Sequence, residues 1–486
     1  MTFAPTDWRA QPESAWAATA SDDAAVPERK VSIGWVDMAL ICLFLLGLYT
    51  NYTILLSAKL PFPSAPAGIA GLILLFRRRD QITERALLGF FAAMFLYVLS
   101  ILLAPDLTFL PRRLNGLIQL TYSIVIGYGL FLTVVQARRT QIAGLFLFIA
   151  VFILIGCLLE DYTGLRAISD QVRQTIYRSG VYDSDLRDVL LYNRVRPKFF
   201  ASEPASVTFC FSLFTFVWFV TSRWRFKLFL YAALVGVGIF AMPGPTLVLM
   251  LVMVLPYMLF LASRKNGRLD IMKLLRVAVL AIFFLCAAII AGQSVFSARL
   301  KDISAGNDPS FFYRVQGPAI AGMDALFSLP LAGAGLTGEP YVEPHVIQLY
   351  ARSPAYSTAW RAVSPATELV VNYFWMHWLY LGLFFGLVIA FALTSWFYAL
   401  GVPSMAFCWM VWAILGQASG AYVGPTCWAV LFLTGAAAIL HQRADAAGER
   451  RARPLPVQID LQSRLEALRA RPAVPGDDGP KRLTYN

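Results

Sequence analysis

The sequence predicts an all-α integral membrane protein with about twelve transmembrane helices and two long segments outside the cytoplasm. Three observations lead to this fold class. Of 486 residues, 58% are hydrophobic, the mean hydropathy is +0.61, and only 14% are charged. A soluble domain has roughly a quarter of its residues charged. Apolar stretches also recur along the chain at the length of about 20 residues that a helix needs to cross a bilayer.

Twelve apolar segments are long enough to span a membrane as helices, which satisfy all backbone hydrogen bonds within one segment. The seventh and eighth segments form a tight pair that is broken at Pro243-Gly244-Pro245. The predicted spans are residues 35–56, 60–76, 86–105, 116–136, 140–159, 205–221, 226–241, 245–262, 272–292, 376–400, 403–419 and 421–440.

Lys and Arg collect on every second connection between these spans. Such residues stay in the cytoplasm, so both termini are predicted to be cytoplasmic. The net charge of +12, from 41 Lys+Arg against 29 Asp+Glu, therefore indicates membrane topology, and no nucleic acid is expected as a partner. The residues that set the topology are Arg77, Arg78, Arg79, Arg85, Arg138, Arg139, Arg223, Arg225, Lys227, Arg264, Lys265, Arg268 and those of the tail after His441.

Three regions follow from this topology. Residues 1–33 are a disordered cytoplasmic N-terminus without the apolar run of a cleavable signal peptide, residues 34–441 form the membrane domain, and residues 442–486 are a basic cytoplasmic tail. Two long connections, 160–202 and 293–365, lie on the opposite side and carry balanced charges with many aromatic residues. Connections of this length are usually functional or disordered, and we expect the functional site of the protein to lie in these two.

The first candidate site precedes the sixth span. Arg194, Arg196 and Lys198 stand at the outer membrane surface, where the topology rule disfavours cations, and Glu203 precedes a helix that Pro204 starts. A guanidinium binds two phosphate oxygens at once, so Arg196, with Arg194 or Lys198, is predicted to bind a phosphate at headgroup depth. The alternative is an ordinary capped helix whose cations contact lipid phosphates.

The second candidate site lies in the longer external segment. Arg314 follows Phe311-Phe312-Tyr313, and Gly333 and Gly335 permit close approach of the backbone to a ligand or to another helix. A simple loop turn is the alternative for these glycines. His345 lies beside Glu339 and Glu343 in the sequence and is a candidate base, with a solvated loop residue as the alternative.

Two function classes are disfavoured by what the sequence lacks. The six cysteines all fall in apolar segments without a CxxC pair, and no His, Cys or Asp spacing suggests a metal, so neither metal nor cofactor is expected. Ionisable residues are scarce inside the spans and gather at the outer rim. Ion-coupled transporters need such groups near the midplane, so the pattern favours a catalyst or binder that faces the exterior.

At these residues the chain resembles the bacterial O-antigen ligase and polysaccharide polymerase family. Three patches carry the resemblance: Arg196 to Ser202-Glu203-Pro204, the Arg314 helix that runs to Pro330, Gly333 and Gly335, and the run from Asn372 to Gly382 and Gly386. The similarity covers about residues 35–440 in topology, but only these patches in residues.

The resemblance implies a membrane glycosyltransferase of GT-C-like architecture in the bacterial inner membrane, with the external segments in the periplasm. Its members take a glycan from undecaprenyl pyrophosphate and join it to an acceptor sugar. Arg196 and Arg314 would then contact the pyrophosphate in place of a divalent metal. Because the chain lacks a histidine that the family's ligases carry, Glu203 is the first candidate for the base and His345 the second. The further residues implied in substrate binding are Arg194, Lys198, Gly333, Gly335 and Asn372.

The ligases of this family carry a His next to the Asn of the third patch, where this chain has Val371. That difference, and the Glu203-Pro204 pair, favour a polymerase that joins lipid-linked repeat units of an exopolysaccharide, capsule or O-antigen. A ligase that transfers glycan to a lipid core and a flippase for lipid-linked oligosaccharides are the alternatives. Expected partners are undecaprenyl-pyrophosphate-linked oligosaccharide, membrane lipid, a chain-length regulator and an export complex.

Overall fold

The computed structural model is largely helical. It describes residues 33–57, 60–177, 182, 185–192, 194–262, 264–265, 268–269, 272, 275, 279, 282, 286, 290, 297–356 and 369–452. The chain divides into two units, one that ends at His441 and one that begins at Gln442. The first unit carries both cavities described below.

The elements of the described residues are helices and two short antiparallel hairpins. The helices are α1 Trp35–Thr50, α2 Ala65–Arg77, α3 Glu84–Leu102, α4 Leu110–Gln136, α5 Arg139–Tyr162, α6 Leu165–Ile176, α7 Asp185–Tyr192, α8 Pro204–Thr221, α9 Lys227–Ala241, α10 Thr246–Tyr257, α11 Ser297–Ser304, α12 Pro309–Phe311, α13 Gly317–Ser328, α14 Glu339–Tyr350, α15 Tyr373–Ala399, α16 Met405–Gly416 and α17 Pro425–Ala452. The hairpins pair β1 Ile54–Ser57 with β2 Leu60–Phe62, and β3 Arg264–Lys265 with β4 Arg268–Leu269.

Six helices within the described residues are long and apolar enough to cross a membrane, namely α3, α4, α5, α8, α15 and the first part of α17. Shorter apolar helices are α1, α2, α9, α10 and α16. Each of these eleven coincides with a predicted span, so the helical class and the membrane-suited segments are confirmed. The ninth predicted span, 272–292, lies largely outside the described residues, as do most of the N-terminus and the tail, and the count of twelve stays a prediction.

Two local features differ from the sequence prediction. Helix α4 begins at Leu110 rather than near residue 116, so Arg112 and Arg113 belong to its first turns. Arg113 is fully buried, and it donates hydrogen bonds to the carbonyls of Asp106 and Ala334. The hairpins were not expected either, because β1 and β2 continue an apolar stretch that composition assigns to a helix.

Helix α2 packs on its near neighbours α1 and α4, whereas other helices pack against partners that are distant in sequence. Helix α5 packs on α8, α3 and α13 pack on α15, and α10 packs on α8 and α16. Helix α8 lies at the centre, since almost all of its side chains are buried. Within a bilayer such packing is stabilised mostly by van der Waals contact, so close side-chain fit matters more than hydrophobicity.

Arginine side chains connect helix ends at two predicted cytoplasmic connections. Asp37 accepts from Arg77 at 2.7 Å and from Arg78 at 2.5 Å, which ties α1 to α2. Arg139 donates to the carbonyl oxygen of Thr221 at 2.6 Å and contacts the ring of His441 at 3.1 Å. The last carbonyls of a helix lack partners within it, and Arg139 satisfies them for α8.

Candidate functional site

A cavity of about 390 Å³ opens where several helices begin or end, and we call it the rim cavity. It brings together Glu203 and Arg314 from the two segments that the sequence singled out. Polar and apolar side chains both line it, and its volume lies within the range of small-molecule sites. The rim cavity is lined by Leu48, Asn51, Pro63, Glu203, Ala205, Ser206, Phe209, Cys210, Ser310, Tyr313, Arg314, Val371, Ala418, Ser419, Gly420, Ala421, Gly424, Pro425 and Thr426.

Two helices start at this cavity. Pro204 opens α8 and Pro425 opens α17, and proline suits the first helical position because its missing N–H would have no partner there. The positive end of a helix macrodipole favours negative charge. Residues of both first turns line the rim cavity, so its wall includes two helix N-termini as well as the guanidinium of Arg314.

Arg314 lies on a short π-helical turn, Phe312–Gln316, that is fixed by its neighbours. The side-chain nitrogen of Asn372 donates to the carbonyl of Arg314 at 2.7 Å and to the amide oxygen of Gln417 at 2.8 Å. The Asn372 oxygen accepts from the backbone N–H of Trp375 and caps α15. Asn372 is fully buried and does not line the rim cavity, so it positions the turn that carries Arg314.

Glu203 is the residue before α8, and its side chain makes no capping hydrogen bond. Its carboxylate accepts from the hydroxyl of Ser206 at 3.4 Å and reaches the rim cavity. A carboxylate and a guanidinium in one cavity form a pair of groups suited to take a proton and to hold an anion. The structure thus brings together the two candidate catalytic residues Glu203 and Arg314.

The backbone before Glu203 is held in a strained conformation. Phe199 and Phe200 have φ of 35° and 63°, which side-chain-bearing residues rarely adopt. Glu160 accepts the backbone N–H of Lys198 at 3.1 Å and that of Phe199, and Arg173 donates to the carbonyl of Ala201 at 2.7 Å. Strain of this kind persists only where the surroundings over-determine it, and it is frequent at functional sites.

Arg196 does not line the rim cavity. Its Nε donates to Oδ1 of the fully buried Asp188 at 2.8 Å, and its guanidinium lies 5.0 Å from the ring centre of Tyr192. Burial lowers the pKa of Arg196, but Tyr192 and Asp188 raise it by more, so the net pKa lies above its usual value. Arg196 therefore joins its segment to α7, and contact with a pyrophosphate stays a prediction.

The two neighbouring cations are also paired with carboxylates. Lys198 is buried, and its Nζ lies 2.8 Å from Asp185. Arg194 lies 3.4 Å from Asp161 and stacks on Phe240. Neither lines the rim cavity. Lys198 makes its ion pair within segment 160–202, and Arg194 links this segment to α5 and α9.

His345 lies elsewhere. Its Nε2 is 2.8 Å from the carboxylate of Asp324, the side chain is half exposed, and both residues line a separate cavity of about 340 Å³. The structure therefore does not bring His345 to Glu203 and Arg314.

Gly333 and Gly335 contact another helix rather than the rim cavity. Helix α15 is kinked at Gly382, where φ is 64°, and the backbone of Gly333 packs on this kink. The N–H of Ala334 donates to the carbonyl of Leu379 at 2.8 Å, and that of Phe384 donates to Pro330 at 2.9 Å. Gly333 lies in a turn with φ of 56°, and a Cβ on it would come within 2.4 Å of the Leu379 carbonyl oxygen, so the turn and the close approach to another helix occur together.

Sequence reasoning missed a second polar cavity, of about 750 Å³, which we call the Glu339 cavity. Arg112, Asn115 and Gln119 lie on one face of α4 and line it together with Glu339 and Tyr380. Their spacing of three and four residues could have revealed this face, but the predicted span began after Arg112 and Asn115. Its full lining is Pro61, Thr108, Phe109, Pro111, Arg112, Asn115, Gly116, Gln119, Thr337, Glu339, Met376, Tyr380, Gly420, Ala421, Tyr422 and Val423.

Glu339 is almost completely buried, and burial raises the pKa of its carboxyl. Hydrogen bonds from Tyr380 and Arg112 lower this pKa in part, with the Arg112 Nη2 at 3.5 Å from Oε2. The Glu339 carboxyl therefore holds its proton at a higher pH than an ordinary glutamate.

Within the described residues, no group of three or more His, Cys, Asp and Glu side chains is close enough together to hold a metal ion. Comparison with models of protein families and with curated proteins finds no match to this chain.

Proposed function

We propose that this chain is a polysaccharide polymerase of the bacterial inner membrane, with twelve spans and its rim cavity at the periplasmic face. It would join repeat units that are carried on undecaprenyl pyrophosphate. The observation that carries the proposal is the rim cavity itself, where Arg314, Glu203 and the N-termini of α8 and α17 meet.

The positive groups of this cavity suit a pyrophosphate leaving group. Arg314 and the two helix N-termini are held in place before any ligand binds, and preorganised positive charge stabilises an oxygen that gains negative charge in the transition state. The cavity lies at helix ends, and such a position fits a phosphate presented at headgroup depth.

The transfer balances with the groups present. A hydroxyl of the incoming repeat unit attacks the anomeric carbon of the growing chain, and a new glycosidic C–O bond forms. The C–O bond between that carbon and the pyrophosphate breaks, and undecaprenyl pyrophosphate leaves with the bonding electrons. Glu203 takes the hydroxyl proton as general base.

Two other functions belong to the same proposal as alternatives. A ligase would transfer the finished glycan to a lipid core with the same donor chemistry, so the rim cavity fits it equally. A flippase needs polar groups along a central path. The described polar cavities instead lie at helix ends.

The proposal is tested by polysaccharide length in a deletion strain complemented with wild type, Arg314→Ala or Glu203→Gln. Arg352→Ala is the matched control, because Arg352 is exposed on the same external segment and lines neither polar cavity. We expect single lipid-linked repeats from the first two variants and full polymer from the control, at equal membrane levels.

Three other results would contradict the polymerase. Full polymer from both site variants would show that Arg314 and Glu203 take no part in the reaction. Glycan that appears only when a lipid core is present would favour the ligase, and repeat units trapped on the cytoplasmic leaflet would favour the flippase.

A further inference from the structure

The Glu339 cavity is larger than the rim cavity and differs from it in charge. Arg112 and Glu339 are the charged residues among the described residues that line it, and they form a pair at 3.5 Å. The pair leaves the cavity without a net charge. A phosphate would meet the carboxyl of Glu339 there, so the cavity suits a neutral ligand better than an anion.

Hydrogen-bonding side chains line this cavity on more than one wall. Asn115 and Gln119 come from α4, Glu339 from α14 and Tyr380 from α15. Amide groups both donate and accept hydrogen bonds, as sugar hydroxyls do, and the Glu339 carboxylate accepts them. Phe109 and Met376 add apolar surface of the kind that packs against the C–H faces of a sugar ring.

The two cavities share a wall. Gly420 and Ala421 line both of them, in the loop that joins α16 to α17. Two hydrogen bonds from other helices hold this loop. The carbonyl of Ser419 accepts from the N–H of Tyr373 at 2.8 Å, and the carbonyl of Val423 accepts from the hydroxyl of Ser123 at 2.7 Å. A ligand in the Glu339 cavity therefore lies next to whatever the rim cavity holds.

We propose that the Glu339 cavity binds a neutral oligosaccharide, the non-reducing end of the acceptor glycan, with Arg112, Asn115, Gln119 and Glu339 as its hydrogen-bonding residues. This inference rests on the proposed polymerase function, and it adds the acceptor's binding site to the donor's. The pairing of Glu339 with Arg112 holds the guanidinium at the cavity wall, where its remaining N–H groups can donate hydrogen bonds to sugar oxygens.

The test uses an acceptor that cannot be a donor. Repeat-unit oligosaccharide is released from its carrier by mild acid, which removes the pyrophosphate, and is labelled at its reducing end. Full-length protein in lipid nanodiscs transfers chains onto it from lipid-linked repeats that are collected from a strain lacking this chain. Varying the free oligosaccharide gives its KM separately from kcat.

We expect Asn115→Ala and Gln119→Ala to raise the KM for the free oligosaccharide about fivefold to tenfold, with kcat within about twofold of wild type, because each removes one hydrogen bond. Gln171→Ala, an exposed amide on α6, is the matched control and should change neither constant. The KM for the lipid-linked donor should stay unchanged in all three.

The outcomes separate the two proposals. If wild type polymerises lipid-linked repeats and the Asn115 and Gln119 variants keep the wild-type KM for the free oligosaccharide, the inference is overturned and the polymerase stands. The same holds if wild type polymerises but never uses the free oligosaccharide. If wild type polymerises nothing, the proposed function fails, and the acceptor site fails with it.

Discussion

Glu203 and Arg314 line the same cavity although helices α8 to α12 lie between them in the sequence. Glu203 is placed by the start of α8 and by the strained turn before it, whereas Arg314 is placed by a π-helical turn that Asn372 holds. The other predicted site residues do not line this cavity.

Arg314→Lys should retain part of the polymerising activity that Arg314→Ala loses. Lysine keeps the positive charge but not the planar fork that binds two oxygens. Removal of one preorganised donor at a developing charge typically costs about 10²–10³-fold in kcat. The measurement is the rate of transfer onto labelled acceptor in nanodiscs, and equal rates for the two variants would contradict a charge role for Arg314.

The Arg196–Asp188 pair should matter for stability rather than for chemistry. Arg196→Met leaves the buried carboxylate of Asp188 without its cation, which we expect to cost roughly 3–5 kcal/mol in unfolding free energy. The double variant Arg196→Met/Asp188→Leu removes both charges and should recover most of that loss, as well as polymer formation. Melting of the detergent-solubilised protein and polymer length measure the two effects. A stable double variant without polymer would show instead that Arg196 contacts the substrate.

Glu339→Gln should remove a pH dependence of stability. Burial raises the pKa of Glu339 in the folded protein above its unfolded value, so the neutral form is favoured by folding. That contribution is fully present below the unfolded pKa and is lost as pH rises through the folded pKa. Wild type and variant should therefore melt alike at acidic pH, while the variant becomes relatively more stable towards neutral pH.

The groups that face the Glu339 carboxyl are Arg112 and the hydroxyl of Tyr380, and both stay unchanged in this variant. Glu84→Gln, at an exposed carboxylate, is the control and should track wild type at every pH. A melting difference between Glu339→Gln and wild type that does not vary with pH would contradict the prediction.

Gly382→Ala should destabilise the protein by roughly 1–3 kcal/mol. Its φ of 64° is unfavourable for alanine, and a Cβ would come within 2.5 Å of the carbonyl oxygen of Leu329. Gly236→Ala is the control, since a Cβ there meets nothing within 4 Å and alanine favours the helix. The midpoints of thermal unfolding of the two variants check this, and equal midpoints would mean that the kink is not constrained.

The sequence by itself determined the helical membrane class and the positions of the apolar helices. Hydropathy is a local property, and a helix in lipid must satisfy its backbone within its own segment. Eleven predicted spans coincide with described helices for this reason. Where a predicted span differs from its helix, it differs at the ends. The late start assigned to α4 concealed Arg112 and Asn115, and with them the Glu339 cavity.

Only the tertiary structure decided which candidate residues meet. Arg194, Arg196, Lys198 and Arg314 have the same charge and similar aromatic neighbours in sequence, so no local rule separates them. In the fold the first three pair with carboxylates of α7 or α5, while Arg314 reaches the rim cavity with Glu203. The partner of a charge depends on which distant helices pack together, and that is set by side-chain fit across the whole chain rather than by any single segment.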